Sequence, residues 1–374
     1  MPRFTLLDTR ADLDSPNFDW NSRHAGLATL VPVAIRRRRL RGGRREGVDL
    51  IEVESGLLRF SIVPTRGMGL WRAGWGDFEL QWRSPIIDGP IHPALVDLEG
   101  RGGLGWLEGF DEFLARCGLE NNGAPFVEGD RVYPLHGRIA NLPAHHVEVM
   151  IDDEPPHAVT ITGRVLEARL FFLNVELIAS VIHVPGTAAL TVRDEVVNLR
   201  PVPAPIYSLY HWNFGPPLLD DGSELLAPVE TVTPRDARAA EGLDGWNRYG
   251  AAEPGFAEQV YFLDLKADAD RRTLAVLRGP QGRRAAALRF SKAELPYFTL
   301  WKSLMGVEEG YVTGLEPGIN LPNPRPVEQA AGRGITLPPH GRHVCATTLE
   351  IADQPDTVDR LVAEVEQLSR DGHA

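Results

Sequence analysis

An almost unbroken alternation of apolar and polar residues between positions 147 and 197 restricts the fold more than any other feature of this sequence. The alternation is clearest at 159–165, 170–182 and 188–197, with a Pro-Gly turn signal between the last two runs. In a β-strand, successive side chains point to opposite faces. Alternating polarity therefore gives each strand one wet face and one dry face. The pattern predicts three or four consecutive antiparallel strands.

Strand patterns recur on both sides of this run, whereas helical patterns are few. Further strands are predicted at 57–63, 259–265, 273–277, 284–290, 297–302, 311–315 and 344–351. Helical spacing of apolar residues predicts a short helix at 104–116 and an amphipathic closing helix at about 356–370. The first 30 residues or so are expected to form a turn-rich arm. Residues 237–256 are expected to contain either a short helix or a lid.

No composition shift marks a linker and no tandem repeat is present, so we expect one domain over residues 1–374. Two large packed antiparallel sheets are the economical architecture for this many strands. The predicted fold class is therefore all-β, a large two-sheet antiparallel β-sandwich with a few short helices.

Charge and cysteine content narrow the partners and the compartment. The 374 residues include 51 acidic and 39 basic side chains, a formal net charge of −12, which argues against general nucleic-acid binding and favours a small-molecule ligand. With only Cys117 and Cys345, a disulfide framework is not expected and a reducing compartment fits. The chain starts without a signal-peptide pattern and lacks a run of about 18 apolar residues. We expect a cytoplasmic protein without membrane or nucleic-acid partners, either a monomer or a dimer.

A cluster of arginines at positions 36–39 stands out against this acidic background. The residues around it have strand character, and Gly42-Gly43 is a turn signal. A hairpin that places its arginines on a solvated edge is the favoured interpretation. The alternative is a patch for an anionic partner.

The segment from Tyr210 to Gly215 contains a histidine, an amide and two aromatic rings. In a strand, His211 and Asn213 share one face, and Trp212 and Phe214 share the other. If the rings are buried, the imidazole and the amide lie where a ligand could bind. His136 upstream and Glu316 downstream also stand at glycine-flanked strand ends. Two histidines and a carboxylate make a general acid–base set.

Other chemistries lack their motifs. There is no P-loop, no G-x-G-x-x-G after a strand and no G-x-S-x-G nucleophile elbow. His340 and His343 have no third ligand at a suitable spacing, so zinc is not expected there. We therefore predict neither a metal nor a cofactor.

Three short segments resemble the signature segments of the aldose 1-epimerase (galactose mutarotase-like) superfamily. They are Leu135-His136-Gly137, the His211 segment ending in Asn213-Phe214, and Leu315-Glu316-Pro317, supported by Pro-Thr-Arg-Gly-Met at 64–68, Cys-Gly-Leu-Glu-Asn at 117–121 and Glu-Pro-Gly-Ile-Asn at 316–320. The resemblance covers roughly residues 56–351. It is more specific for fold and pocket than for activity.

This resemblance implies a β-sandwich that holds a sugar in an open cleft on one sheet. Glu316 would be the general base, His211 the general acid, and His136 would bind the sugar and steady charge near the ring oxygen. Attraction between Glu316 and His211 is expected to favour the charged form of both. The asparagines of these segments, Asn121, Asn213 and Asn320, are the expected substrate-binding amides.

The sequence departs from the family pattern at its cations. Arg138 stands where the second glycine after the histidine is usual, and the arginine segment upstream has no clear counterpart. Arg66, Arg138 and Lys302 are the candidate substrate-binding cations. If they converge, the substrate carries a carboxylate, sulfonate or phosphate. The alternative is that each forms a surface ion pair.

Three functions fit these residues. The first is an aldose 1-epimerase-like isomerase that interconverts anomers of a free monosaccharide or a derivative. The second is an isomerase or lyase that acts on an oxidised or acidic sugar in the same pocket. The third is a carbohydrate-binding protein without catalytic activity.

Overall fold

The computed structural model describes residues 2–27 and 31–373, and within these ranges strands far outnumber helices. In chain order the strands are β1 (Arg3–Asp8), β2 (Leu13–Asp14), β3 (Asp19–Asn21), β4 (Val33–Arg39), β5 (Asp49–Ser55), β6 (Leu58–Val63), β7 (Gly69–Trp75), β8 (Phe78–Glu79), β9 (Leu114–Leu119), β10 (Phe126–Glu128), β11 (Arg131–Tyr133), β12 (Ala144–Ile151), β13 (Val159–Ala168), β14 (Asn174–His183), β15 (Ala189–Asn198), β16 (Ala204–Phe214), β17 (Glu224–Leu226), β18 (Val229–Pro234), β19 (Gln259–Leu265), β20 (Arg272–Arg278), β21 (Ala285–Ser291), β22 (Tyr297–Leu304), β23 (Tyr311–Gly318), β24 (Ile335–Leu337) and β25 (Arg342–Ala352). The α-helices are α1 (Gly100–Gly103), α2 (Ala237–Glu241), α3 (Arg325–Ala330) and α4 (Pro355–Asp371).

Two large antiparallel sheets face each other. One has ten strands in the order β17-β20-β21-β25-β15-β14-β13-β12-β1-β2. The other has thirteen, eleven of them in the order β18-β19-β22-β23-β16-β9-β7-β6-β5-β4-β3, with β24 beside β16 and β8 beside β7. The hydrophobic core lies between the sheets and draws on both. The predicted two-sheet antiparallel β-sandwich is confirmed.

Strand β16 lies in the middle of the thirteen-stranded sheet, between β23 and β9, and its two faces differ. Tyr210, Trp212 and Phe214 point into the core between the sheets. Leu209, which shares the other face with His211 and Asn213, packs in a separate aromatic cluster outside the sandwich. The prediction that the imidazole and the amide lie opposite the buried rings is confirmed.

The expected helix at 104–116 is wrong. Residues Gly105–Gly109 form a short 3₁₀ turn, and β9 begins at Leu114. Leu104 and Leu107 are exposed, so their spacing does not mark a buried helical face. Gly105 and Gly109 explain the turn, because a side chain at Gly105 would overlap the Asp97 carbonyl and one at Gly109 would press against Arg66.

The chain ends match the sequence only in part. Helix α4 confirms the predicted closing helix, and its apolar side packs on β20 and β21. Strands β1 and β3 tie the N-terminal arm into the two sheets, so it is more regular than the expected turns. Residues 1 and 28–30 of that arm lie outside the described residues.

The arginine-rich segment forms the predicted hairpin, with β4 paired to β5. Arg38 and Arg39 pair with Glu52 and Asp49 at the sheet surface. Arg37 differs from the expectation, because its guanidinium is buried and bonds to Asp49. Arg37 and Arg39 also pair with Asp14 of β2, so these arginines neutralise carboxylates of both sheets.

Candidate active site

His211 is held in one orientation by its neighbour two residues along β16. Asn213 Nδ2 donates to the carbonyl oxygens of Glu112, at 3.1 Å, and His211, at 2.9 Å, so its Oδ1 is the atom that faces the ring. That oxygen lies 2.6 Å from His211 Nδ1. An acceptor at this distance places a proton on Nδ1. The ring nitrogen that can gain or lose a proton is therefore Nε2.

Glu316 brings its carboxyl to that free nitrogen. Strand β23 pairs with β16, and Glu316 Oε1 lies 3.1 Å from His211 Nε2. The contact lacks the angle of a hydrogen bond, so Oε1 has no hydrogen-bond partner within the described part of the chain. Gly314 permits this approach, because a Cβ there would overlap Oε1. The two groups are placed to exchange one proton.

His136 completes the cluster from a turn after β11. Its ring centre lies 5.3 Å from that of His211, and its Nδ1 lies 3.3 Å from Asn122 Oδ1. The backbone has a φ of 55° at this residue, a left-handed conformation that non-glycine residues rarely adopt. The structure therefore brings together the two histidines and the glutamate predicted from distant segments.

Burial dominates the electrostatics of the pair. His211 is 4% exposed and Glu316 is 2% exposed. Burial lowers the pKa of His211 to about 4, although the bond to Asn213 opposes this. Burial, helped by the charge of Glu258, raises the pKa of Glu316 well above its ordinary value. The expectation was that attraction favours the charged form of both groups; loss of hydration instead favours the neutral form of each, a pair that holds one proton.

Three aromatic rings surround the cluster. Trp106, Phe110 and Trp301 lie 6.1, 5.2 and 5.3 Å from the His211 ring, centre to centre. Trp106 Nε1 and Thr299 Oγ1, like Glu316 Oε1, are buried without a hydrogen-bond partner in the residues described. A ligand with several hydroxyl groups can satisfy such donors and acceptors.

Sequence reasoning missed these aromatic side chains. Trp106 and Phe110 fall inside the incorrectly predicted helix. Trp301 was visible as the strand neighbour of Lys302, but its face depends on the pairing of β22 with β23. The same pairing sets Thr299 opposite Glu316.

The three candidate cations do not converge on this cluster. Arg66 is buried and bonds to Glu112, Asn141 and the carbonyls of Ile91 and Gly109. Its position in a glycine-containing turn is explained by these bonds. Arg66 therefore holds these segments of the fold together. This position does not match the expected contact with the substrate.

Arg138 and Lys302 are also occupied elsewhere. Arg138 pairs with Glu99. Lys302 Nζ donates to the carbonyls of Gly245 and Arg248, and burial lowers its pKa to about 8. Lys302 alternates with Trp301 along β22 and so points to the opposite face of the sheet. The three-cation clamp for an anionic substrate is not formed.

The predicted residues Asn121 and Asn320 form hydrogen bonds within the segments around the cluster. Asn121 Nδ2 donates to the Pro134 carbonyl, at 2.7 Å, and so holds the turn that carries His136. Asn320 Oδ1 accepts from Ser208 N, at 3.1 Å, and from Asn122 Nδ2, at 3.4 Å. Asn122, which contacts His136, was missed although it follows Asn121 directly.

Two further observations concern metal ligands, thiols and membrane-spanning helices. Among residues 2–27 and 31–373, no three His, Cys, Asp or Glu side chains are grouped so as to hold a metal ion, and Cys117 and Cys345 are free thiols. No helix in these ranges has the length and apolarity needed to cross a membrane.

Comparison with known proteins gives a family and a fold. A family model described as a domain of unknown function, DUF4432, matches residues 45–351. A Klebsiella pneumoniae protein provisionally named an aldose 1-epimerase is 31% identical, with a TM-score of 0.97 over 100% of this chain and 97% of that one. No curated protein matches the sequence.

More distant solved structures share the fold alone. A galactose mutarotase-like protein from Clostridium acetobutylicum is 17% identical, with a TM-score of 0.60 over 86% of this chain and 98% of that one. An Escherichia coli K12 protein, also provisionally named an aldose 1-epimerase, is 14% identical, with a TM-score of 0.53 over 82% and 99%. The resemblance predicted from the three short segments is confirmed at the level of fold.

Proposed function

The chain belongs to the DUF4432 family and has the galactose mutarotase-like fold, and on this premise we propose that it is an aldose 1-epimerase, an isomerase that interconverts the anomers of a reducing sugar. The observation that carries the proposal is the 3.1 Å approach of His211 Nε2 to Glu316 Oε1 beside His136. An acid and a base that share one proton can open and close a hemiacetal ring without consuming anything.

In the proposed reaction, the ring form of the sugar lies over His211 and Glu316. Glu316 first passes its proton to His211 Nε2, after a small rotation that aligns the two atoms. Misalignment of this kind is common in unliganded active sites. The pair then consists of a carboxylate and an imidazolium, and it remains neutral overall.

The two groups then act on the two oxygen atoms bonded to the anomeric carbon. The carboxylate removes the proton of the anomeric hydroxyl, and the imidazolium protonates the ring oxygen. The bond between the anomeric carbon and the ring oxygen breaks, and the open-chain aldehyde forms. Rotation about the adjacent carbon–carbon bond and the reverse proton transfers give either anomer. His136, held by Asn122, binds the sugar near the ring oxygen.

The test is anomer exchange followed by NMR from a single starting anomer. Each general acid or base contributes about 10²–10⁴-fold, so Glu316→Gln should lower kcat by about 10²–10⁴-fold. Glu366→Gln, which changes an exposed glutamate on α4, is the matched control and should retain activity.

Two results would refute the proposal. One is no acceleration of anomer exchange for a broad panel that includes acidic sugars, which would leave carbohydrate binding without catalysis. The other is growth of ultraviolet absorbance from an unsaturated product, which would indicate a lyase.

A further inference from the structure

The proposed catalytic pair is almost completely covered. His211 and Glu316 project from strands of the thirteen-stranded sheet, yet they are only 4% and 2% exposed. A general acid or base must come within about 2.6–3.2 Å of the atom with which it exchanges a proton. A sugar cannot approach so closely while the two side chains are covered. The element that covers them must therefore move before the proposed reaction.

The cover comes from residues 104–108, a segment outside the sheet that follows helix α1 and precedes strand β9. Its Trp106 is 1% exposed, and the centre of the indole lies 4.8 Å from that of the His136 ring and 6.1 Å from that of the His211 ring. Trp106 packs with Phe110 in the cluster outside the sandwich, and the core between the sheets does not include it. Withdrawal of this covering segment would therefore leave the core intact.

The covering segment is attached to the fold at its two ends. Before it, Leu135 N donates to the Gly103 carbonyl at 2.8 Å, and after it, Arg66 Nη2 donates to the Gly109 carbonyl at 2.9 Å. Between these attachments, and within the described part of the chain, its hydrogen bonds go only to residues 101–110. Packing, and no hydrogen bond to another part of the fold, therefore holds it against the site.

The outer side of the covering segment faces solvent. Leu104 and Leu107 are 40% and 50% exposed, so the segment forms a single layer over the histidines. Gly102 and Gly103 precede it with φ angles of 70° and 92°. Glycine adopts either sign of φ at low cost, so these two positions can absorb the rotation that a hinge requires.

The indole of Trp106 also opposes the closed arrangement. Its Nε1 is buried without a hydrogen-bond partner among the described residues. Such an N–H has lost its bond to water and has gained no acceptor in exchange, which costs free energy. Opening gives this N–H an acceptor again and so offsets part of the loss of ring burial. The closed segment is therefore less firmly held than the burial of an indole alone would suggest.

We infer that residues 104–108 are a lid, closed over His211 and Glu316 in this structure, which swings outward about Gly102 and Gly103 to admit the sugar. The inference rests on the proposed epimerase function and adds a conformational step before the chemistry. Trp106 is the side chain that must leave the path to the catalytic pair. Because only the open form admits sugar, the apparent affinity is lowered by the fraction of molecules that are open.

Hydrogen exchange of the indole N–H groups tests opening in the full wild-type chain. Trp212 is the internal control, because it is equally buried and its Nε1 also lacks a partner in the structure described, but it lies in the core between the sheets. In a chain labelled with ¹⁵N-tryptophan, the Trp106 signal is identified by its absence from Trp106→Phe, and the Trp212 signal by its contact with Phe113. We expect Trp106 to exchange about 100-fold or more faster than Trp212, because local opening requires less free energy than opening of the core. Equal exchange rates would overturn the inference.

Removal of the indole gives a second readout that does not depend on catalysis. Burial lowers the pKa of His211 to about 4 from an ordinary value of 6.5. Trp106→Ala admits water to the imidazole, so the pKa of His211 should rise by about one pH unit or more in an NMR titration. Leu107→Ala is the matched control, because it shortens a side chain on the solvent side of the same segment, and it should leave this pKa unchanged. A pKa of His211 that is the same in both variants would contradict the inference.

The outcomes separate the lid from the function on which it rests. Fast exchange of the Trp106 N–H without anomer exchange for any sugar would support the lid and refute the epimerase. Anomer exchange in a chain whose Trp106 is as protected as Trp212 would refute the lid and leave the epimerase proposal standing. Failure of both measurements would refute both.

Discussion

Two consecutive residues of β16, Tyr210 and His211, lead to two buried ionisable clusters on opposite faces of one sheet. On the inner face, Tyr210 donates to Asp194 at 2.9 Å, and Asp194 accepts two bonds from Arg116, at 2.6 and 3.0 Å. Arg116 also bonds to the carbonyls of Gly67 and Met68. On the outer face, Glu316 Oε1 approaches His211 without an aligned bond.

The two clusters are about equally buried, so burial does not distinguish them. They differ in how completely their bonding capacity is used. Inside, burial opposes the charge of Arg116, but Asp194 keeps the pKa of Arg116 above its ordinary value. Outside, the charge of Arg235 opposes the burial that raises the pKa of Glu316, but burial outweighs it. A buried ionic cluster whose polar atoms all have partners stabilises a fold. A buried cluster with unpartnered polar atoms can bind a ligand and react with it.

Breaking the inner cluster gives the largest expected change in stability. Asp194→Ala leaves the Arg116 guanidinium buried without its carboxylate, and we expect a loss of about 3–5 kcal/mol in the free energy of unfolding. Urea unfolding measures it. The control is Glu195→Ala, which removes the neighbouring side chain that pairs with exposed Arg342, and it should cost less than about 1 kcal/mol. Similar losses in both variants would remove the distinction between the faces.

Altering the outer cluster should have the opposite sign. Glu316→Gln is expected to raise the free energy of unfolding by about 1–3 kcal/mol at pH 8. Above the ordinary pKa of 4.5 the unfolded chain releases the Glu316 proton, whereas the folded chain keeps it, so wild-type stability falls as pH rises. The gain should therefore be larger at pH 8 than at pH 5 in matched urea titrations. An equal gain, or a loss, at both pH values would contradict this account.

The smallest effect concerns the residue that orients His211. Asn213→Ala removes the acceptor that favours the charged ring, so the pKa of His211 should fall below about 4. We expect the acid limb of the pH profile of kcat to move down by about one pH unit, with kcat about 10-fold lower and KM little changed. The Glu112 carbonyl keeps its bond from Trp82, which limits damage to the fold. An unmoved acid limb would show that Asn213 only supports the structure.

The sequence alone predicted those features that depend on a pattern within a single strand or helix. Alternation along 204–214 predicts which of Trp212 and His211 faces the core, because a period of two does not depend on neighbouring strands. The motif segments predict that His136, His211 and Glu316 meet. The closing helix is equally local, since its apolar residues recur at helical spacing.

The sequence alone did not predict the positions of side chains that depend on strand pairing or on the geometry of a turn. Lys302 precedes Glu316 by one strand, but only the register of β22 with β23 shows that it points away. Arg66 follows a strand as a ligand-binding residue often does, and its partner Glu112 lies far along the chain. The leucines at 104 and 107 have helical spacing but lie in a glycine-rich turn. Close packing around Gly105 and Gly109 determines the backbone there, and the apolar spacing does not.

Strand β16 makes the protein sensitive to a particular genetic lesion. Inserting or deleting one codon within 204–214 would exchange its faces, sending the imidazole into the hydrophobic interior and an aromatic ring into the sugar site. Both clusters would be lost together, because both depend on the same alternation of side chains along β16. Natural members of the family should therefore vary in length at their loops and keep this strand at a constant number of residues.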